Sequence, residues 1–428
     1  MNSHSRTESK NGKKINLKTL EWLSFEKGEF IIILSMFFYH LGVANFAPYA
    51  PLWLFQIFEE QSFVVIGLVS IIPNAMVIVG TLLWGFLADR TSIKWFVVGG
   101  LVFMGLMYTS LIFSKNSAFF LIMIFVGYFF GSAQSANYYA LGTTITSKPK
   151  EVILGKISAI TSIAWIIMSP ISGALHDNYE EDAMDIQLII AAVACLIAII
   201  LAILVKEKRA LKEETNHREE INKTLPITTF PKLFIITLIL AFFMQSTMGG
   251  FWAYNTIYFI ETLKVKAIHY SIFLVATTTI AIPLSFIFGN ITSSRAISKT
   301  AIIYIFIQNL VFLFMSIFPM NAILAMILYS IPVYPFYTVC MYSLVANFTS
   351  KERRATAYGI FSSIGILGVV LGILILGVVA DSSSLGIFIM LRYSLAYAFL
   401  TLVITFILYF LIKRNSHIDK ENLNDKKR

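Results

Sequence analysis

The chain has 428 residues, 57% of them hydrophobic and only 13% charged, with a mean hydropathy of +0.76. Those values lie far outside the range of soluble domains, so they exclude a soluble multidomain protein and point to an integral membrane protein. The formal charge of +9 implies no nucleic-acid partner until its location is known, because no separate soluble domain exists to carry a basic face.

In chain order, residues 1–29 are polar and lack the apolar core and cleavage site of a signal peptide, which predicts a cytoplasmic N-terminal tail. Apolar windows long enough to cross about 30 Å of hydrocarbon as helix follow near 30–55, 63–86, 95–113, 117–145, 156–176 and 187–205, a first bundle over 30–205. The first span contains Pro48 and Pro51. Prolines interrupt the backbone ladder, and interrupted helices tend to line pathways. It also contains His40, the one ionisable side chain near mid-membrane, since all 24 Asp and Glu fall in loops, tails or near helix ends. An intramembrane ionisable group is a functional candidate. With an unperturbed pKa of about 6.5, His40 is the candidate for proton coupling, against the alternative of a neutral histidine bonded between helices.

After the second span, "GFLADRTSIK" gathers Gly85, Asp89, Arg90 and Lys94 on a short connection. The fourth span carries Gln134, Asn137, Tyr138 and Tyr139, and the fifth "SPISGA", with Pro170 and Gly173, whose small residues suit close helix packing. Residues 206–232 are a charged linker, expected to be cytoplasmic. Six further spans are predicted near 233–260, 268–289, 301–318, 322–346, 356–380 and 388–412, a second bundle over 233–412. The seventh bears Gln245, Trp252 and Asn255, and the tenth Tyr334, Tyr337 and Tyr342. The eleventh bears Gly368 and Gly372, a G-x-x-x-G spacing for close packing. Residues 413–428 form a second cytoplasmic tail. Cys195 and Cys340 lie in apolar runs and read as buried thiols.

Twelve spans put both termini on one side. With that side cytoplasmic, 29 of the 33 Lys and Arg fall inside, as the inside-positive rule requires; topology accounts for the net charge. An internal repeat appears at an offset of 204 residues: Gly85 maps to Gly289, Gly155 to Gly359, Ser158 to Ser362 and Asp177 to Asp381. An offset spanning six helices makes the halves parallel repeats about an axis along the membrane normal. The expected fold is therefore all-α, twelve transmembrane helices in two pseudo-symmetric six-helix bundles.

From about residue 30 to 412 the chain resembles a major facilitator superfamily transporter. The resemblance rests on the Gly85–Asp89–Arg90–Lys94 loop, similar to the family's G-x-x-x-D-R-x-G-R/K-R/K motif, on its echo at Gly289, and on "SKERRATAYGIFSSIGILGVVLG" leading into the eleventh span. Ser92 and Ile93 depart from that motif. Leu41, Gly42, Pro48 and Pro51 match a first-helix pattern of the family, and Pro170 and Gly173 a degenerate antiporter motif. Family exporters often carry an arginine where this chain has Gly127. The resemblance implies a central cavity lined by the first, fourth, seventh and tenth helices, hence by His40, Asn45, Gln134, Asn137, Tyr138, Gln245, Trp252, Asn255, Tyr334 and Tyr337. Amides and rings without fixed charge suit a neutral or amphipathic solute. Asp89, if the halves close beside it, can face the N-terminus of the eleventh helix as a conformational latch.

No G-x-x-x-x-G-K-[ST], H-E-x-x-H or G-x-S-x-G occurs, so no cofactor, metal or catalytic residue is expected. The expected function is secondary active export of a small organic molecule across the cell membrane by alternating access. H+ is the candidate coupling ion and a monomer the functional unit. The alternatives are an uptake permease or facilitator for a sugar-like metabolite and, more remotely, a lipid-modifying enzyme.

Overall fold

A backbone N–H or C=O left unpaired in hydrocarbon costs several kcal/mol, so a spanning chain must be helical or form a closed barrel. This chain takes the helical solution. The computed structural model describes residues 25–88, 90–146, 150–179, 182–206, 232–289, 294–332, 341–349 and 354–425, and among them there is no strand. The first half comprises α1 (Lys27–Phe46), α2 (Ala50–Gln56), α3 (Phe63–Ala88), α4 (Ile93–Leu111), α5 (Ser117–Ile145), α6 (Lys150–Tyr179) and α7 (Ala183–Leu204). The second comprises α8 (Lys232–Trp252), a wide π-type turn at Ile257–Thr262, α9 (Ala267–Gly289), α10 (Ser294–Ile317), α11 (Ala322–Tyr329), α12 (Tyr342–Phe348), α13 (Arg354–Asp381) and α14 (Ile387–Asp425).

Among the described residues, ten helical segments are long and apolar enough to cross a membrane. The expected ninth span has the shorter apolar helix Ala301–Ile317 as its membrane part. The expected tenth is seen as α11 and α12, on either side of residues outside the described set. The first span is broken at 47–49, between α1 and α2, where Pro48 sits. At the other end, α14 runs through the expected tail boundary to Asp425, because no Gly or Pro occurs between 387 and 425 to stop it.

Within the halves, α1 packs on α6 and α7, and α4 on α5 and α7; correspondingly α8 packs on α13 and α14, and α10 on α14. Gly368 and Gly372 allow α13 to lie directly on α8: a β-carbon at either would meet the carbonyl oxygen of Phe242 or Ser246. The Ser246 hydroxyl in turn donates to the Gly368 carbonyl at 2.9 Å. Between the halves, α3 packs on α13 and α6 on α9. One apolar core fills the first half and continues through Phe251, Tyr254 and Tyr258 into the part of the second half remote from the termini. A separate core, around Phe234, Leu240 and Phe361, fills the part nearer the termini.

Near that terminal end, Lys156 on α6 donates to Glu29 on α1 at 2.5 Å, both side chains almost completely buried. Glu29 also accepts from the Glu26 backbone N–H at 3.1 Å, closing the first turn of α1. A buried pair is tolerated while complete and costly when halved. Lys156→Met is therefore expected to destabilise the protein by about 3–5 kcal/mol, and Glu29→Met/Lys156→Met to recover most of that loss. Thermal unfolding in detergent checks this; a single variant as stable as the parent would contradict it.

Candidate functional site

The two halves meet at the end remote from the termini through a crossing built twice. Asp177, in the last turn of α6, accepts from the backbone N–H groups of Ala267 and Ile268 at 2.8 and 2.9 Å, the free donors opening α9. Asp381, ending α13, accepts from Phe63 and Val64 N–H at 2.6 and 3.2 Å, the free donors opening α3, and from the Ser62 hydroxyl at 2.7 Å. Asp177 lies 204 residues before Asp381, and Ala267 and Ile268 lie 204 residues after Phe63 and Val64, so each crossing is the other with the halves exchanged. An unpaired helix N-terminus presents N–H groups and the positive end of the dipole; each carboxylate satisfies one across the interface between the halves.

The same symmetry extends to packing. Gly173 lets α6 approach α9 so closely that a β-carbon there would lie 2.7 Å from the Ala267 carbonyl oxygen and 2.8 Å from Ile268 Cα. Its counterpart Gly377 would meet Val64 Cα at 3.0 Å. A tyrosine from the first span of each half also reaches across. The Tyr49 and Ser271 hydroxyls bond at 2.7 Å, and the Tyr254 hydroxyl lies 3.0 Å from the Phe63 carbonyl oxygen. The carbonyl of Pro48, freed by the break between α1 and α2, accepts from the Thr256 hydroxyl at 2.6 Å. Gln56 donates to Glu261 beside it.

Below these crossings, toward the termini, a cavity of about 390 Å3 opens in the second half between α8, α9, α10, α11 and α12. Gln245, Trp252, Thr277, Gln308, Phe312 and Tyr329 are among its lining residues, and none of the described lining residues is charged. At its edge, Asn255 donates to the Tyr329 hydroxyl at 2.9 Å and accepts from Tyr270 at 2.9 Å, which fixes the Tyr329 ring.

The sequence model of the Major Facilitator Superfamily matches residues 32–373, most of the chain. The chain belongs to this superfamily. No curated protein sequence matches it. Solved structures similar to it include the nucleoside transporter NupG, 15% identical with a TM-score of 0.72 over 91% of this chain and 100% of that one. They include a bacterial homologue of the human lysosomal transporter Spinster, in an inward-facing and unoccupied conformation, 15% identical with a TM-score of 0.70 over 91% and 98%. A POT family transporter in complex with a thioalcohol-conjugated peptide is 11% identical, with a TM-score of 0.69 over 91% and 96%. Membership in the superfamily makes the chain a transporter and not an enzyme.

The structure divides the residues that sequence reasoning singled out. Gln245 and Trp252 line the cavity, and Asn255 braces it. Tyr334, Tyr337 and Asp89 lie outside the described residues. Four others are buried in the first bundle and are not among the described residues that line this cavity. Asn45 donates to the Gln187 carbonyl and accepts from Ser172, both at 2.5 Å. Tyr138 bonds Ser35, which donates to the Ala198 carbonyl, tying α5 and α1 to α7. Asn137 donates back to Ala133 in its own helix at 2.7 Å, and Gln134 is buried beside it. A buried amide or hydroxyl must be paired: neighbouring helices supply the partners of Asn45 and Tyr138, and its own helix supplies that of Asn137.

His40 packs edge-on to Tyr39, its Nδ1 buried and without a hydrogen bond among the described residues. On the expected latch loop, Arg90 is exposed with its guanidinium 3.9 Å from the Phe86 ring centroid. Lys94 donates to the carbonyl of Ile203 at 2.6 Å, near the C-terminus of α7, where a cation is favoured. A β-carbon at Gly85 would touch nothing within 4 Å. Pro51 is buried in the first turn of α2, and Pro170 lies within α6 one turn before Gly173. At Gly127, where family exporters carry arginine, a β-carbon would lie 2.5 Å from Met107, so this position is packing and leaves no room for a cation. Sequence reasoning missed Gln308. A mid-span amide in "FIQNLVF" was a signal, but its neighbour Asn309 carries the same one.

Proposed function

We propose that the protein moves a small neutral or amphipathic organic solute across the cell membrane by alternating access, with export as its direction. The observation that carries this reading is the pairing of an uncharged, aromatic-lined cavity with a symmetric gate at one end of it. With both termini cytoplasmic, as the distribution of basic residues favours, the gate is on the outside and the described state is closed outward. Asp89 would then form the opposing latch when the cytoplasmic end closes, with Gly85, Arg90 and Lys94 shaping its loop. His40 is the candidate coupling group, and the monomer carries the whole path. Uptake of a neutral metabolite is the second reading, favoured by Met107 occupying the space beside Gly127 where exporters place a cation.

The test is purified protein in liposomes, loaded with candidate solutes and assayed for counterflow and for pH-gradient-driven movement. Solute exchange that saturates and depends on the protein is expected; its absence across neutral, cationic and anionic panels would sink the reading. His40→Ala should abolish accumulation driven by a pH gradient while leaving downhill exchange intact. Accumulation unchanged between pH 5 and 8 would make His40 structural.

A further inference from the structure

Gln308, near the middle of α10, is 1% exposed and lines the cavity, yet neither its Nε2 nor its Oε1 has a hydrogen-bond partner among the described residues. The next residue shows that α10 is able to pair its amides: Asn309 donates to the Ile305 and Ala398 carbonyls, at 2.8 and 2.9 Å, and so ties α10 to α14. Two other polar groups of the wall are committed as well. The Thr277 hydroxyl donates to Phe273 at 2.9 Å within its own helix, and the Tyr329 hydroxyl accepts from Asn255. A buried carboxamide with both ends open is costly, because a donor and an acceptor are desolvated together. Such a group is retained when something that is not part of the fold completes it.

We propose that Gln308 is the recognition group of a solute-binding site inside the second half, and that the site takes a flat, uncharged molecule with an N–H donor and a C=O acceptor side by side. A lactam, an imide or a primary amide on an aromatic ring has that edge. The carboxamide is closed off in the described state; turned toward the cavity about its side-chain torsions it offers the complementary pair in one plane, so that two parallel hydrogen bonds form while Trp252, Phe312 and Tyr329 cover the ring faces. A volume of about 390 Å3 is at the small end of ligand pockets, which limits the solute to a compact ring system. The uncharged wall selects against ions, whose desolvation nothing here repays. This inference rests on the reading of the protein as a solute transporter and adds the chemistry that the solute must carry.

The experiment uses the purified full-length protein with 2-quinolone, whose lactam has both groups on one edge, and N-methyl-2-quinolone, which lacks the donor. Binding is followed by titration calorimetry, and exchange of radiolabelled 2-quinolone is followed in liposomes. The parent protein should bind the lactam at least roughly tenfold more tightly than its N-methyl analogue, since methylation removes one bond and strands an acceptor. Gln308→Met keeps the volume and should bind the two compounds equally; without ligand it should melt higher than the parent, as an unpaired amide is removed. Gln308→Leu provides the same comparison if the methionine variant folds poorly. Failure of the parent to bind the lactam, failure to discriminate, or discrimination retained without Gln308 would each overturn the site. Discrimination without exchange would overturn the reading that the transported solute occupies this site and leave the site standing. Exchange without discrimination would do the reverse.

Discussion

Asp177→Ala/Asp381→Ala is expected to open the end of the protein remote from the termini. Each carboxylate satisfies two free N–H groups at the start of a helix in the opposite half. Loss of an N-terminal cap costs about 1 kcal/mol, and a charged acceptor about doubles a hydrogen bond's worth. The pair should therefore contribute about 2–4 kcal/mol, a roughly 30- to 1,000-fold change in the ratio of closed to open gate. Spin labels at Ser114 and Ser383, on distal connections of the two halves, would report it as a shift of the distance distribution to longer values. Because the two crossings are equivalent in their backbone bonds, the single variants should each produce about half of the change in free energy, with Asp381→Ala the larger for its added Ser62 bond. A double variant with the parent's distribution would show that the aspartates do not hold the gate. Strongly unequal single variants would show that the duplication is not functional.

The membrane-spanning helices were legible because hydrocarbon imposes one requirement on every span: enough consecutive apolar residues and a self-satisfied backbone. The duplication was legible too, and Asp177 was already aligned with Asp381; what the two do was not. Their partners are backbone N–H groups at Ala267 and Phe63, and no side chain marks a helix N-terminus as the target of a distant carboxylate. The polar residues of the cavity show the opposite failure. Asn45, Tyr138 and Gln308 are all mid-span polar groups, and residue type says only that each needs a partner. Which face of its helix meets a neighbour and which meets the cavity depends on helix rotation, and that is set by packing. Adjacent Gln308 and Asn309 make the point most sharply: 100° of rotation separates a tie to α14 from an open site. Lys156 and Glu29 escaped for a related reason, since a charge near the end of a span reads as an anchor to water until a partner is found across the bundle.

Gly173→Val and Gly368→Val apply the same chemical change to two helix crossings, and their outcomes should differ in kind. At Gly173 the new β-carbon would run into the Ala267 carbonyl oxygen and Ile268 Cα, backbone atoms of the other half that cannot rotate away. The halves are free to part, however, if the protein alternates between states. Strain is then relieved by opening the gate: each half stays folded, the melting temperature changes little, and transport falls at least tenfold because the state closed at that end is lost. At Gly368 the clash is with the Phe242 carbonyl inside one half, where α8 and α13 share a core. No rigid-body motion relieves it, so overpacking should cost the protein about 1–3 kcal/mol or more of stability. Gly377→Val should resemble Gly173→Val but be milder, since the nearest backbone atom there, Val64 Cα, lies 3.0 Å away, against 2.7 Å for the Ala267 carbonyl oxygen at Gly173. Melting curves and transport rates measured on all three variants decide the matter. If Gly173→Val unfolds the protein as readily as Gly368→Val does, the interface between the halves is a fixed part of the core, and a gate that opens there is ruled out.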